Sequence, residues 1–141
     1  MIDKAQVYFI DANIPMYAAG AEHALKAPCV AILESIAKGE LKAVTDAEVV
    51  QEILHRYTAL GRRNHAVEVC RLFLQVVPNV LPITRQIIER ALEFHLQFSQ
   101  LQARDSLHVA AMVEYKIARI ISADRHFDGV PGIFRLDPTQ F

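Results

Sequence analysis

Gln6-Val-Tyr-Phe-Ile10, running directly into Asp11-Ala-Asn-Ile-Pro15, is the stretch that decides how this chain folds. A short β-branched and aromatic run that stops abruptly at a charge is the pattern of a strand buried inside a parallel sheet. Asp11 and Asn13 are residue types that cap helices, and Pro15 falls just inside a first turn, so a helix is expected to start here. One carboxylate is thereby expected at the C-terminal tip of a strand.

The same alternation continues outward. Apolar residues recur at helical spacing from Glu22 to Lys38, with Pro28 marking an early turn or a kink and Gly39 a stop. Leu41-Lys-Ala-Val-Thr45 reads as a second strand. Thr45 or Asp46 can cap the next helix, whose stripe is Val49, Val50, Ile53 and Leu54 and whose end is Gly61. Asn64 to Val77 is amphipathic, and Pro78-Asn-Val-Leu-Pro82 is a short strand whose prolines suit a sheet edge. Thr84 caps a helix to about Gln97, Ser99 to Gln102 connects, and Ala103 to Tyr115 is helical again. Arg119-Ile-Ile-Ser122 is a fourth strand and Phe134-Arg-Leu136 a weaker fifth.

Strands separated by helices imply right-handed crossovers and a sheet covered on both faces. The expected fold is therefore α/β: a three-layer α/β/α sandwich with a central parallel sheet of about five strands. Its 141 residues suit one domain, 1–141, and neither a repeat nor a linker argues for a second. With 52% apolar and 22% charged residues, disordered and fibrous states are excluded as dominant forms. Cys29 and Cys70 are too few for a disulfide framework and read as small buried hydrophobes, which fits a reducing compartment. Met1 to Lys4 leads into the first strand without the pattern of a signal peptide, and no apolar run is long enough for a membrane span. A soluble, cytoplasmic protein is expected.

In an open parallel sheet, ligands bind at the carboxyl ends of the strands, where strand order reverses. Asp11 ends the first strand and Asp124 closely follows the fourth. Glu52 sits two turns into the helix after the second strand, and Asp105 in the first turn of the helix before the fourth. Carboxylates brought that close repel and raise one another's pKa unless a cation lies between them. An all-oxygen set selects a hard ion such as Mg²⁺ or Mn²⁺, which keeps waters and engages phosphate oxygens, so phosphodiester hydrolysis is the reaction class implied.

Four segments also carry a family resemblance. Phe9-Ile-Asp-Ala-Asn13, Val49-Val-Gln-Glu-Ile-Leu54, Ala103-Arg-Asp-Ser-Leu-His-Val-Ala-Ala111 and Ile121-Ser-Ala-Asp-Arg-His-Phe127, in that order, resemble the motifs of PIN-domain proteins, and the length resembles VapC-type toxins. The likeness extends from Phe9 to about Pro138. It implies that Asp11, Glu52, Asp105 and Asp124 bind Mg²⁺ or Mn²⁺ in an endoribonuclease that leaves a 5′-phosphate and a 3′-hydroxyl. It further implies supporting roles for Asn13, Ser122 and Asp128, a homodimeric state and a cognate antitoxin protein.

Net charge is −1, so bulk charge does not argue for a nucleic-acid partner; setting aside the four assigned carboxylates turns it to +3. Arg56, Arg62, Arg63, His65 and Arg71 gather around a helix-to-helix turn, and Arg104 and Arg125 flank two of the acids. Arg56, Arg104 and Arg125 are the candidates for tracking a phosphate backbone.

Each acid alone has a plainer use. Asp11 and Asp105 suit helix starts, Glu52 pairs with Arg56 four residues on, and Asp124 can open a turn. His108, one turn beyond Asp105, reads as a packed or hydrogen-bonded histidine before it reads as a ligand. No histidine pair makes a zinc motif. Asp124-Arg-His-Phe-Asp-Gly129 mimics the start of an EF-hand loop, but Arg135 occupies its twelfth position and rejects it. A receiver domain would want an acidic pair after the first strand and a late lysine; an aspartyl phosphatase would want Asp where Asn13 stands. The remaining rivals are a non-catalytic PIN-like binding module and a housekeeping RNA-processing nuclease.

Overall fold

Successive residues of a strand point to opposite faces of its sheet, yet Tyr8, Phe9 and Ile10 all have no exposed surface. Both faces of this strand are therefore covered. In the computed structural model, which describes residues 3–141, the strand is β1 (Val7–Ile10). The Met1–Ile2 part of the expected lead-in lies outside those residues.

The elements then follow as α1 (Asn13–Ala19), α2 (Lys26–Ala37), β2 (Lys42–Asp46), α3 (Ala47–Ala59), α4 (Arg63–Val76), β3 (Val80–Leu81), α5 (Arg85–Gln97), α6 (Ala103–Glu114), β4 (Arg119–Ile121) and β5 (Phe134–Leu136). Among the described residues, five strands form one parallel sheet in the order β3-β2-β1-β4-β5, flanked by six α-helices. Phe9 is paired with Val44 on one side and Ile120 on the other. The chain moves outward from β1 through β2 to β3, then crosses back to lay β4 on the other flank of β1. Strand order reverses between β1 and β4, and their carboxyl ends open the crevice that such a reversal creates.

Local chemistry explains most boundaries. Asp46 caps α3, its Oδ1 accepting from Val49 N at 2.9 Å, while Thr45 donates its hydroxyl to the Ile10 carbonyl at 3.0 Å and joins β2 to β1. Thr84 Oγ1 accepts from Ile87 N at the start of α5. Pro28 lies in the first turn of α2, where its missing N–H has no partner to lose, so it makes an early turn and no kink. Gly61, just past α3, takes the left-handed conformation (φ 74°) that favours glycine.

The expected cap on α1 is absent. Ala12 occupies the N-cap position and no side chain bonds the first turn. The reason is that Asp11 still belongs to the sheet ladder, its N–H donating to the Ile121 carbonyl at 3.2 Å, one residue too early for its carboxylate to reach the helix amides. The carboxylate accepts from Ala12 N at 2.8 Å with Oδ1, and its Oδ2 accepts from Ser122 and Asn13.

Ile120 is fully buried at the centre of the sheet. Ile120→Ala is expected to cost about 2–5 kcal/mol of stability. Urea unfolding measures it, and a loss within experimental scatter of zero would contradict a sheet sealed on both faces.

Candidate active site

Ile10 and Ile121 are register partners, so the next residues along, Asp11 and Ser122, emerge side by side. Ser122 donates its hydroxyl to Asp11 Oδ2 at 2.6 Å and accepts from Asp124 N at 3.0 Å. Asn13 donates through Nδ2 to Asp11 Oδ2 at 3.2 Å and to Ser122 Oγ at 3.0 Å, and its Oδ1 accepts from Ala123 N at 3.1 Å. Two strand tips are thus stitched by one polar network that aims Asp11.

The other acids arrive from the flanking helices. Glu52 projects from α3 beside Asp11, and Arg56 Nη1 lies 3.7 Å from its carboxylate. Asp105 stands in the first turn of α6, where its Oδ2 accepts from Gln102 N at 2.9 Å in a capping box. Asp124 opens the turn after β4, with Oδ1 accepting from His126 N at 2.9 Å. The acids form two adjoining groups, Asp11 and Glu52 with His108, and Asp105 and Asp124 with His126; within each group one potential ligand atom per residue lies within 4.8 Å of the others. Glu52, Asp105, Asp124 and His126 line an open cavity of about 850 Å³, with Arg56 and Arg104 in the same wall.

The plainer uses are therefore present as well: Asp105 caps, Glu52 meets Arg56, and Asp124 opens a turn. They coexist with the cluster because a carboxylate has two oxygens and about four acceptor sites, and a cap consumes one.

Two expected members stand apart. Asp128 is held by Arg135, whose Nε and Nη2 donate to its oxygens at 2.8 and 3.2 Å, so its carboxylate is committed to that ion pair and does not face the cavity. The Arg135 fork holds it below the usual carboxylate range. Arg125 begins a 3-10 turn, Arg125–Phe127, and is exposed outside the cavity wall. Arg104 shares its guanidinium with Gln51 Oε1 at 3.1 and 3.2 Å.

Two histidines and Arg135 are parts of the site region that motif reasoning underrated. His108 is fully buried; its Nδ1 lies 2.8 Å from Asp46 Oδ2 and its Nε2 3.9 Å from Asp11 Oδ1. His126 Nδ1 lies 3.2 Å from Asp105 and 3.1 Å from Asp124. Arg135 also donates to the Ser122 carbonyl at 2.9 Å. The i,i+3 spacing of Asp105 and His108 was the available signal for the first, since it puts both on one helix face.

Electrostatics express the crowding. Burial, and then the charge of Asp11, raises the pKa of Glu52. Burial also raises Asp105 against the opposing Gln102 N–H bond, and Asp124 and Asp11 add to the rise. For His108, burial opposes the charged form, but the charge and hydrogen bond of Asp46, with Asp11 and Glu52 beyond, push it up to about 9. A proton on this imidazole meets the same surplus of negative charge that a metal cation would. Clustered oxygens, two of them on carboxyls reluctant to ionise, and a buried ring nitrogen with no hydrogen-bond partner make a donor set that fits a divalent cation.

The PIN domain profile matches residues 8–133 of this sequence. The chain belongs to the PIN-domain family. Ribonuclease VapC13 of Mycobacterium tuberculosis is 46% identical to this PIN domain over 127 residues, covering 90% of this chain and 97% of that protein. Ribonuclease VapC23 from the same species is 31% identical over 116 residues, covering 82% and 91%. Among solved structures, VapBC2 from Rickettsia felis, bound to a DNA fragment from its promoter, superposes with a TM-score of 0.74 at 14% identity, covering 94% of this chain and 98% of that one. M. tuberculosis VapC20, a sarcin-ricin loop cleaving toxin, gives 0.70 at 18% identity, covering 91% and 98%.

For Glu52 and Asp105 a raised native pKa means that the folded state binds more protons than the unfolded one as pH climbs above the ordinary carboxylate range. Folding stability of the metal-free PIN domain therefore falls across that window. Glu52→Gln removes one such charge and is expected to raise Tm at pH 7, with the gain fading as pH approaches 4 to 5, roughly the free carboxylate range. Calorimetry in chelator decides it; an unchanged or lowered Tm at pH 7 would show that the cluster stores no repulsion.

Proposed function

We propose that this protein is a metal-dependent endoribonuclease, hydrolysing RNA phosphodiester bonds as the toxin of a toxin–antitoxin pair. The observation that carries the reading is the convergence of Asp11, Glu52, Asp105 and Asp124, from four separate segments, in two adjoining groups, with the last three lining an open cavity that has Arg56 and Arg104 in its wall. In keeping with it, the relatives are named ribonucleases, and the solved neighbours include toxin–antitoxin complexes.

The four acids would hold Mg²⁺ or Mn²⁺. When bound, such an ion offsets the charge of carboxylates and phosphate and strengthens water as a nucleophile. The chain's own residues do the rest. Ser122 and Asn13 hold Asp11 in one orientation, and the Gln102 N–H ties one oxygen of Asp105 so that the other is left for the cavity. Arg56 and Arg104 supply cationic forks for the phosphates flanking the scissile bond, and exposed Arg125 extends that track.

Residues 1–141 act as one domain. Two copies would associate through α5, where Ile88, Leu92 and Leu96, spaced by single turns, are 44%, 62% and 89% exposed. A cognate antitoxin protein is the second partner, in line with the neighbours' titles. Action in the cytoplasm accords with the free, buried Cys29 and Cys70. Among the described residues, no helix is long and apolar enough to cross a membrane.

Single-stranded RNA incubated with the protein and Mg²⁺ or Mn²⁺ is expected to be cut, and chelator to stop the cutting. Asp11→Asn and Asp105→Asn should each lose more than about 100-fold in rate, and Ser122→Ala about 10- to 100-fold, the range of a residue that orients a ligand. Cleavage persisting undiminished in both Asn variants overturns the site. Expression in a host without the antitoxin should arrest growth; a folded, active protein that allows normal growth argues for RNA processing instead. Leu92→Glu should shift a dimer to monomer in light scattering, and an unchanged mass removes α5 as the interface.

A further inference from the structure

His108 is a titratable side chain beside Asp11 and Glu52 whose second ring nitrogen is left over by the packing that holds the first. Its ring is fully buried and packs on Phe9, with centroids 5.4 Å apart. Its Nδ1 is engaged by Asp46, which is itself without exposed surface and whose other oxygen caps α3. Its Nε2, in contrast, has no hydrogen-bond partner, and among the described residues no other buried side-chain nitrogen or oxygen is left in that state. Leaving a polar atom buried and unpaired opposes folding, so its retention calls for an explanation.

The direction of Nε2 supplies one. It lies 3.9 Å from Asp11 Oδ1, and the ligand atoms of Asp11, Glu52 and His108 all fall within 4.8 Å of one another. Two ligands sharing an ion at bond lengths of about 2.1 Å are separated by roughly 3 Å when adjacent and 4 Å when opposite, so this trio needs little movement to close on one cation. A carboxylate on the far nitrogen of a histidine is the usual arrangement behind a metal-bound imidazole, because it fixes the proton on that nitrogen, orients the ring and makes the free nitrogen more basic.

We propose that His108 is a metal ligand through Nε2, with Asp46 as the positioning residue behind it, and that this imidazole makes the inner part of the site prefer Mn²⁺ to Mg²⁺. The proposal rests on the reading that the acidic cluster holds a divalent ion. The preference follows from ligand softness: an all-oxygen set suits Mg²⁺, whereas an imidazole nitrogen favours transition metals. The competing account is a charged core histidine that serves Asp46 and Phe9 and turns Nε2 toward the charge of Asp11, 3.9 Å away. It predicts no contact with a metal ion.

The test uses the full chain with Mn²⁺ alone, read by electron spin-echo envelope modulation and by calorimetric titration. Bound Mn²⁺ in the unaltered protein should show modulation from a directly coordinated ¹⁴N, replaced by a ¹⁵N pattern after ¹⁵N-histidine labelling. The modulation should disappear in His108→Gln and persist in His126→Gln. His108→Gln should also lower the ratio of Mn²⁺ to Mg²⁺ affinity by about tenfold or more. Asp46→Asn, which retains a capping side chain, should weaken Mn²⁺ binding by about 10- to 100-fold. Should His108→Gln fail to fold, the labelled spectrum of the unaltered protein together with that of His126→Gln decides: histidine modulation that persists without His126 supports the role of His108, and modulation lost with His126 overturns it. Mn²⁺ that binds, and is weakened by Asp11→Asn, yet shows no nitrogen modulation overturns the role of His108 and leaves the acidic site standing. Modulation that follows His126 overturns it equally. Failure of Mn²⁺ to bind, or binding indifferent to Asp11→Asn, removes the metal site and this inference with it.

Discussion

The hydroxyl of Ser122 meets the carboxylate of Asp11 across 111 residues of sequence, and that short bond exists only because β1 and β4 are immediate neighbours in the sheet. Nearly everything about the site depends on this adjacency. Had the chain added its fourth strand beyond β3, Asp11 and Asp124 would lie at opposite ends of the sheet. The crossover back to β1 is an apolar decision, made by the burial of Phe9, Ile10, Ile120 and Ile121, and the polar network at the tips is its by-product. Hydrophobic burial sets which strands meet, and hydrogen bonds then set which way the acids point.

Collecting acids in one place opposes folding. Burial and mutual repulsion raise the pKa values of Glu52 and Asp105, so the cluster draws on stability won in the core. The fold contains the cost by giving each acid a second task. One oxygen of Asp105 starts a helix, one of Asp11 accepts a backbone N–H, and Asp124 closes a turn. These bonds hold negative oxygens close together in advance, which is the preorganisation that the proposed ion binding would draw on.

Much of the fold was legible in the sequence because its signals are local. Val-Tyr-Phe-Ile before Asp11, Asp46 ahead of a helical stripe, Thr84 before another, and prolines around β3 each act within a few residues. The four acids were legible as a set because each follows or precedes a strand at the carboxyl edge. Less legible were features that depend on which side chain wins a shared partner. Asp11 looked like a cap until the ladder bond to Ile121 claimed its backbone. Asp128 looked available until Arg135, known from sequence only as a residue that spoils a calcium loop, closed on it from β5. His108 was read as a packed or hydrogen-bonded ring, which holds for Nδ1; periodicity says nothing about where a second ring nitrogen points.

Arg135 gives the final strand a reach beyond its own length. The guanidinium grips Asp128, Asp137 and the Ser122 carbonyl together, so the segment after β4 and the segment after β5 are tethered at a single knot. Ser122 is also the residue whose hydroxyl steers Asp11. A disturbance far down the chain, in a side chain that touches no acid of the cavity, therefore propagates through one carbonyl to the carboxylate at the centre. The peripheral strand thereby acts as an anchor for the crevice, because the residue that orients Asp11 is itself fastened to Arg135.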